Sequence, residues 1–80
     1  MKVALKMPRV SMNMEEGTVS AWRKQPGDSF TEGEILYEIE TEKATSEVEA
    51  PCAGTMLEHM VAIGDDVPVG DPVCRIETVD

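Results

Sequence analysis

The chain has 80 residues, and its 16 acidic against 7 basic side chains give a formal net charge of −9. That balance excludes a nucleic-acid or anionic-membrane partner, because phosphates demand a basic face. It leaves room for a small core, one expected domain spanning 1–80, and no deep cleft between lobes.

From the N-terminus, Val3–Met7 reads as an opening strand, and the segment lacks the apolar run and cleavage site of a signal peptide. No apolar run approaches the length of a membrane-spanning helix. The expectation is a bacterial or archaeal cytoplasmic protein, or a mitochondrial matrix protein if eukaryotic. Next come a loop through Arg9–Asn13, a strand Gly17–Lys24, and the turn Gln25-Pro26-Gly27-Asp28. A short extended piece, Ser29–Phe30, leads through Glu32-Gly33-Glu34 into a longer strand, Ile35–Thr41. Alternation places Ile35, Tyr37, Ile39 and Thr41 toward the core and Glu34, Glu38, Glu40 and Glu42 toward water. Past Lys43, Val48 points inward, and Glu47 and Glu49 point out. The second half offers Thr55–Ala62, the turn at Gly64-Asp65, Val67, the turn at Gly70 and Pro72–Thr78. Pro-Gly and Gly-Asp pairs supply the positive φ such turns require, and Gly27 and Gly64 are expected to adopt it.

These halves repeat one another at an offset of 37. Gly17-Thr18, Gly27-Asp28, Gly33 and Ile39-Glu40-Thr41 recur as Gly54-Thr55, Gly64-Asp65, Gly70 and Ile76-Glu77-Thr78, eight identities in 25 ungapped positions. Eleven Gly and Pro residues interrupt every helical period. The pattern indicates an all-β sandwich or flattened barrel with an internal pseudo-two-fold axis. Lys43 then corresponds to Asp80, so one half alone carries the lysine.

Trp22, Phe30 and Tyr37 are read as packing residues. Met7, Met12 and Met14 are expected to pack a loop against the sheets. Cys52 and Cys74 read as small buried or half-buried thiols, with a disulfide or metal site as the alternatives. His59 is expected at a surface position on a strand. No Ser-His-Asp set, glycine-rich phosphate loop or metal-ligand cluster is present, so the chain is expected to catalyse nothing unaided. Any chemistry must come from an attached group.

Lys43 suits attachment: it is the one cation in the acidic stretch 34–51, between two alternating runs, at the tip of a predicted hairpin. An ordinary turn lysine in a charge-balanced hairpin fits the same position.

Met7-Pro8, Met14-Glu15-Glu16-Gly17-Thr18-Val19, Gly27-Asp28, Gly33-Glu34, Glu40-Thr41-Glu42-Lys43-Ala44 and Val48-Glu49-Ala50-Pro51 together resemble the lipoyl domain of the biotinyl/lipoyl-carrier family. The likeness covers nearly the whole chain in order and spacing. It implies a flattened barrel of two four-stranded sheets and lipoic acid in amide linkage to Lys43, placed there by a lipoate–protein ligase or lipoyl transferase. It also implies the acyltransferase component of a 2-oxo acid dehydrogenase complex. Three partners follow: a thiamine-diphosphate component (E1), an acyltransferase core (E2) and a flavoprotein dehydrogenase (E3). In such domains the loop after the first strand lies near the lysine, so Arg9, Ser11, Met12 and Asn13, with Glu40, Glu42, Ala44 and Thr45, are expected to be read by E1. The domain itself is expected to be monomeric. Ser11-Met12-Asn13-Met14-Glu15-Glu16-Gly17-Thr18 is more similar to the pyruvate or acetoin type. Biotin carriers share the fold but flank their lysine with methionines, where this chain has Glu42 and Ala44. A biotin carrier and an unmodified interaction module are the competing readings.

Overall fold

The computed structural model describes every residue of the chain except Ser11, Lys43 and Asp80. Eight strands are present among them: β1 (Lys2–Lys6), β2 (Glu16–Trp22), β3 (Ser29–Phe30), β4 (Ile35–Glu40), β5 (Thr45–Glu49), β6 (Gly54–His59), β7 (Asp66–Pro68) and β8 (Pro72–Thr78). They form two antiparallel four-stranded sheets, ordered β1-β8-β6-β3 and β5-β4-β2-β7. The molecule is elongated, 34 × 20 × 18 Å. The all-β, two-sheet architecture expected from the pattern is the one observed. Strand ends differ by one to three residues, because Arg23, Lys24 and residues 60–62 already belong to the turns.

The sequence repeat is a repeat of structure. β2, β3 and β4 map onto β6, β7 and β8 at an offset of 37, and β5 maps onto β1. The short strands cross over: β3 pairs with β6, and β7 with β2. Backbone hydrogen bonds repeat accordingly. The Gly27 N–H donates to the Met56 carbonyl at 2.8 Å, and the Gly64 N–H donates to that of Val19 at 3.0 Å. The Gln25 N–H donates to the Asp28 carboxylate at 2.9 Å, and the Ala62 N–H to that of Asp65 at 3.0 Å. Gly27, Gly33, Gly64 and Gly70 have φ of 97°, 89°, 95° and 95°. That is the region in which a Cβ strains the backbone, so the expectation for Gly27 and Gly64 is met.

Strict alternation misplaced one residue of β4. Register shifts occur between Ile35 and Tyr37 against β5, and between Val19 and Ala21 in β2. An extra residue in one strand turns the following side chains to the other face. Leu36 and Tyr37 are therefore both fully buried, while Ile35 and Thr41 are half-buried. The mates of these irregularities recur around Val73 and Leu57. Glu38, expected in water, is half-buried and paired with Arg23.

The core holds Val19, Phe30, Leu36, Tyr37 and Ile39 from one half and Met56, Val67, Val73, Cys74 and Ile76 from the other, closed by Met7, Met14 and Ala50. Burial pushes the Cys74 thiol up to about 12. Burial, then the neighbouring Cys74, raises the Tyr37 phenol above its ordinary value. Cys74 is buried and Cys52 half-buried, both free thiols. Trp22 stacks on its own symmetry mate, His59, with centroids 3.7 Å apart and planes 7° from parallel. His59 Nε2 lies 2.8 Å from the Lys24 carbonyl oxygen. The expectation of a plain surface position for His59 is thus corrected: its ring is half-buried and joins one sheet to the other.

Candidate functional site

The β4–β5 hairpin carries the segment singled out in the sequence. Its tip is closed twice: the Thr41 N–H donates to the Ala44 carbonyl at 2.8 Å, and the Thr41 hydroxyl donates to the same oxygen at 3.2 Å. Glu42 and Ala44 are exposed. Lys43, between them in sequence, lies outside the described residues, as does Ser11.

The same closure exists at the opposite pole of the pseudo-two-fold. The Thr78 N–H donates to the Met1 carbonyl at 2.8 Å, and the Thr78 hydroxyl donates to it at 3.2 Å. The symmetry mate of the Thr41–Ala44 closure is therefore the Thr78–Met1 closure.

A second departure from symmetry stands beside the tip. Met7-Pro8 corresponds to Ala50-Pro51, and Gly17 to Gly54. Eight residues separate Pro8 from Gly17 where two separate Pro51 from Gly54, an excess of six. That longer loop borders a groove lined by Met12, Asn13 and Met14 on its own side and by Glu40, Thr41, Glu42 and Ala44 on the hairpin. Glu15, Glu16, Gly17, Thr18 and Asp66 complete it. The structure thus brings Met12, Asn13, Glu40, Glu42 and Ala44 together. Thr45 is exposed on β5 but does not line the groove.

Arg9 is exposed at the start of the loop. Its guanidinium donates to the Met14 carbonyl at 3.1 Å and lies 3.5 Å from that of Met12, so it braces the loop from outside the groove lining. Met7 and Met14 are core residues at 1% and 5% exposure, whereas Met12 is 88% exposed. The expectation that Met12 packs the loop down is overturned: Met14 fills that role, and its sulfur also accepts the Val10 N–H at 3.3 Å. Sequence reasoning missed Glu15, Glu16, Thr18 and Asp66. Asp66 comes from the other half-repeat, where the Thr18 hydroxyl donates to its carboxylate at 3.0 Å.

Chemically, the arrangement offers a hydrogen-bonded hairpin end with exposed Glu42 and Ala44, beside an acidic groove. Among the described residues no three candidate ligands converge to hold a metal ion. The open tip and its small neighbour Ala44 fit a covalently attached arm that works outside the protein, because no enclosed cavity is needed to hold one.

Such a structure is that of a carrier, and the family comparison agrees. The chain belongs to the biotin–lipoyl family, whose model, described as "Biotin-requiring enzyme", matches residues 3–76. Within that family the likeness is to the lipoyl domains, in which lipoic acid is covalently attached to a lysine. The solution structure of the lipoyl domain of the 2-oxoglutarate dehydrogenase complex from Azotobacter vinelandii superposes with a TM-score of 0.78 at 31% identity, covering 94% of this chain and 95% of that one. The dihydrolipoyllysine-residue acetyltransferase component of the Bacillus subtilis acetoin cleaving system is 41% identical over 95% of this chain. The pyruvate dehydrogenase E1 component subunit beta of Rhizobium meliloti is 46% identical over 91% of it. The chain spans 19% and 16% of the length of these two relatives.

Proposed function

We propose that residues 1–80 form a lipoyl carrier domain in which Lys43 takes lipoic acid in amide linkage, in the service of a 2-oxo acid dehydrogenase complex of the pyruvate or acetoin type. The observation that carries this reading is the doubly closed Thr41–Ala44 tip, with exposed Glu42 and Ala44 on either side of the one lysine in the hairpin. Bound lipoic acid supplies a disulfide–dithiol couple that takes up an acyl group and two electrons. The protein's part is to present and identify the attachment point. Thr41 fixes the tip backbone. An ammonium must lose a proton before it can attack an activated acyl group, so the ligase provides the base that frees the nucleophile. Burial keeps Cys74 protonated and out of thiol–disulfide exchange with the arm.

The partners under this reading are a lipoate–protein ligase or lipoyl transferase, the thiamine-diphosphate E1, the acyltransferase core E2 and the flavoprotein E3. The domain is monomeric and works in the cytoplasm of a bacterium or archaeon, or in the mitochondrial matrix of a eukaryote. The acetoin-type relative favours an acyltransferase as the parent polypeptide. Attachment to an E1 β subunit is favoured in turn by the 46% identity with the Rhizobium meliloti protein. Either tether keeps the domain at high effective concentration near its partners. Glu42 and Ala44 in place of methionines argue against biotin.

Intact-protein mass after incubation with lipoate, ATP and a lipoate–protein ligase tests the reading. The wild-type chain gains one lipoyl group and Lys43→Ala gains none. A folded wild-type chain that stays unmodified, or a Lys43→Ala variant that is modified, overturns it.

A further inference from the structure

The net charge of −9 is spread unevenly over the two sheets. Exposed strand positions of the β5-β4-β2-β7 sheet carry Glu16, Glu40, Glu47, Glu49 and Asp66. β1, at the edge of the other sheet, is the one strand whose exposed charged residues are all basic: Lys2 and Lys6, with Ala4 between them. Neither lysine joins an ion pair among the described residues. Arg75, opposite Ala4, is held by Glu58 at 3.2 Å, and Glu77 lies opposite Lys2.

The backbone of this edge is open on one side, because β1 pairs with β8 alone. Met1 and Thr78 exchange backbone bonds: the Thr78 N–H donates at 2.8 Å, and the Met1 amine donates in return at 3.4 Å. In an antiparallel ladder such pairs recur at every second residue. Val3 therefore faces β8, and the N–H and C=O groups of Lys2 and Ala4 point outward with no strand to meet them. An edge of this kind accepts an added strand. Beneath it, Val3 and Leu5 pack against the core but are only half-buried. A strand laid beside β1 completes their burial.

We propose that the β1 edge takes up an extended acidic segment of a partner protein by strand addition. This surface contributes no residue to the groove beside the hairpin and does not depend on the carrier reading. The segment that fits has carboxylates four residues apart, opposite Lys2 and Lys6. Between them, on its other face, it has apolar residues that lie beside Val3 and Leu5. Selectivity comes from the mate strand. β5 is also a sheet edge, but it carries Glu47 and Glu49 where β1 has Ala4 and Lys6. An acidic segment is attracted to β1 and repelled from β5. Lysines on an open edge also guard it against unwanted pairing, so the test must separate guarding from docking.

The probe is the capped peptide Thr-Glu-Val-Thr-Val-Glu-Thr, titrated at low ionic strength into the isotopically labelled chain and followed by NMR. Binding saturates, shifts the amide signals of β1 and slows hydrogen exchange at the Lys2 and Ala4 N–H groups. The double variant Lys2→Ser/Lys6→Ser weakens it about tenfold, and lysine in place of the peptide glutamates does the same. Proline at the central peptide position removes the N–H that meets the Ala4 carbonyl and also weakens binding about tenfold. A folded wild-type chain with no saturable shifts in β1 overturns the proposal. So do shifts centred on β5, or equal binding of the proline peptide, which would mark charge attraction without strand pairing. If Lys2→Ser/Lys6→Ser self-associates while the wild-type chain ignores the peptide, the lysines only guard the edge against a second copy, and the proposal fails. The peptide variants leave the protein unchanged, so they decide the matter even if the double variant does not fold.

Discussion

At the scale of single residues, the most instructive pair is Gly17 and Gly54. They are symmetry mates and neither needs positive φ, so turn chemistry does not explain them. Close approach does. A Cβ on Gly54 would stand 2.2 Å from the Glu77 carbonyl oxygen, a backbone atom that cannot withdraw without breaking register. A Cβ on Gly17 would meet the Met14 terminal methyl at 2.7 Å, the mobile end of a flexible side chain. Gly54→Ala is therefore expected to cost about 3 kcal/mol or more and Gly17→Ala about 1 kcal/mol, read from urea midpoints of the two variants. Similar losses would mean that backbone and side-chain obstacles are equivalent here. The repeat made both glycines conspicuous in the sequence. The difference between them was not legible there, because it depends on which atom faces each one across the sheet. Leu36 was obscured for a related reason: a period-two reading cannot see an extra residue in a strand, so the alternation broke at that position.

At the scale of elements, the two sheets are held by the interdigitated core and by one ring stack. Trp22 at the end of β2 lies flat on His59 at the end of β6, and Tyr37 sits 5.1 Å from Trp22 at 52°. An offset of 37 already pairs Trp22 with His59, so the sequence contained this contact. It went unread because an isolated histidine carries no sign of its partner. Aromatic stacking contributes about 0.5–1.5 kcal/mol beyond area burial, and a net hydrogen bond about 1 kcal/mol. His59→Ala is accordingly expected to cost about 2 kcal/mol and to shift Trp22 emission to longer wavelength as water reaches the indole. His59→Phe, which keeps a ring but loses the bond to the Lys24 carbonyl, should lose about half as much. Unchanged emission in His59→Ala would show that the stack does not shield Trp22. The loop after β1 was legible as a loop, and its expected nearness to the hairpin follows from the groove. The division of labour among its methionines was not, since Met12 and Met14 differ in burial but not in composition.

At the scale of the whole molecule, the Thr41–Ala44 and Thr78–Met1 closures are one structural motif used twice. Thr41 reaches Ala44 by the same two hydrogen bonds with which Thr78 reaches Met1. The spacing also agrees: two residues lie between Thr41 and Ala44, and two between Thr78 and a Met1 joined directly to Asp80. The lysine-bearing pole differs from the other in sequence by Lys43 and by its longer loop. A circular permutant that joins Asp80 to Met1 without a linker and opens the chain between Lys43 and Ala44 tests this. It should keep the β-sheet circular dichroism, the Trp22 emission and a cooperative thermal transition, with a Tm within about 10 °C of the parent. Adding Asp80→Lys to that permutant places a lysine at the mate of position 43, in a closed tip that lacks the six-residue loop and the acidic groove. If the tip alone is sufficient for the ligase, that lysine gains a lipoyl group. If the loop and groove are what E1 reads, the same arm is then acylated far more slowly than the natural one. A permutant that fails to fold would show that the two closures are alike in geometry but not in energy.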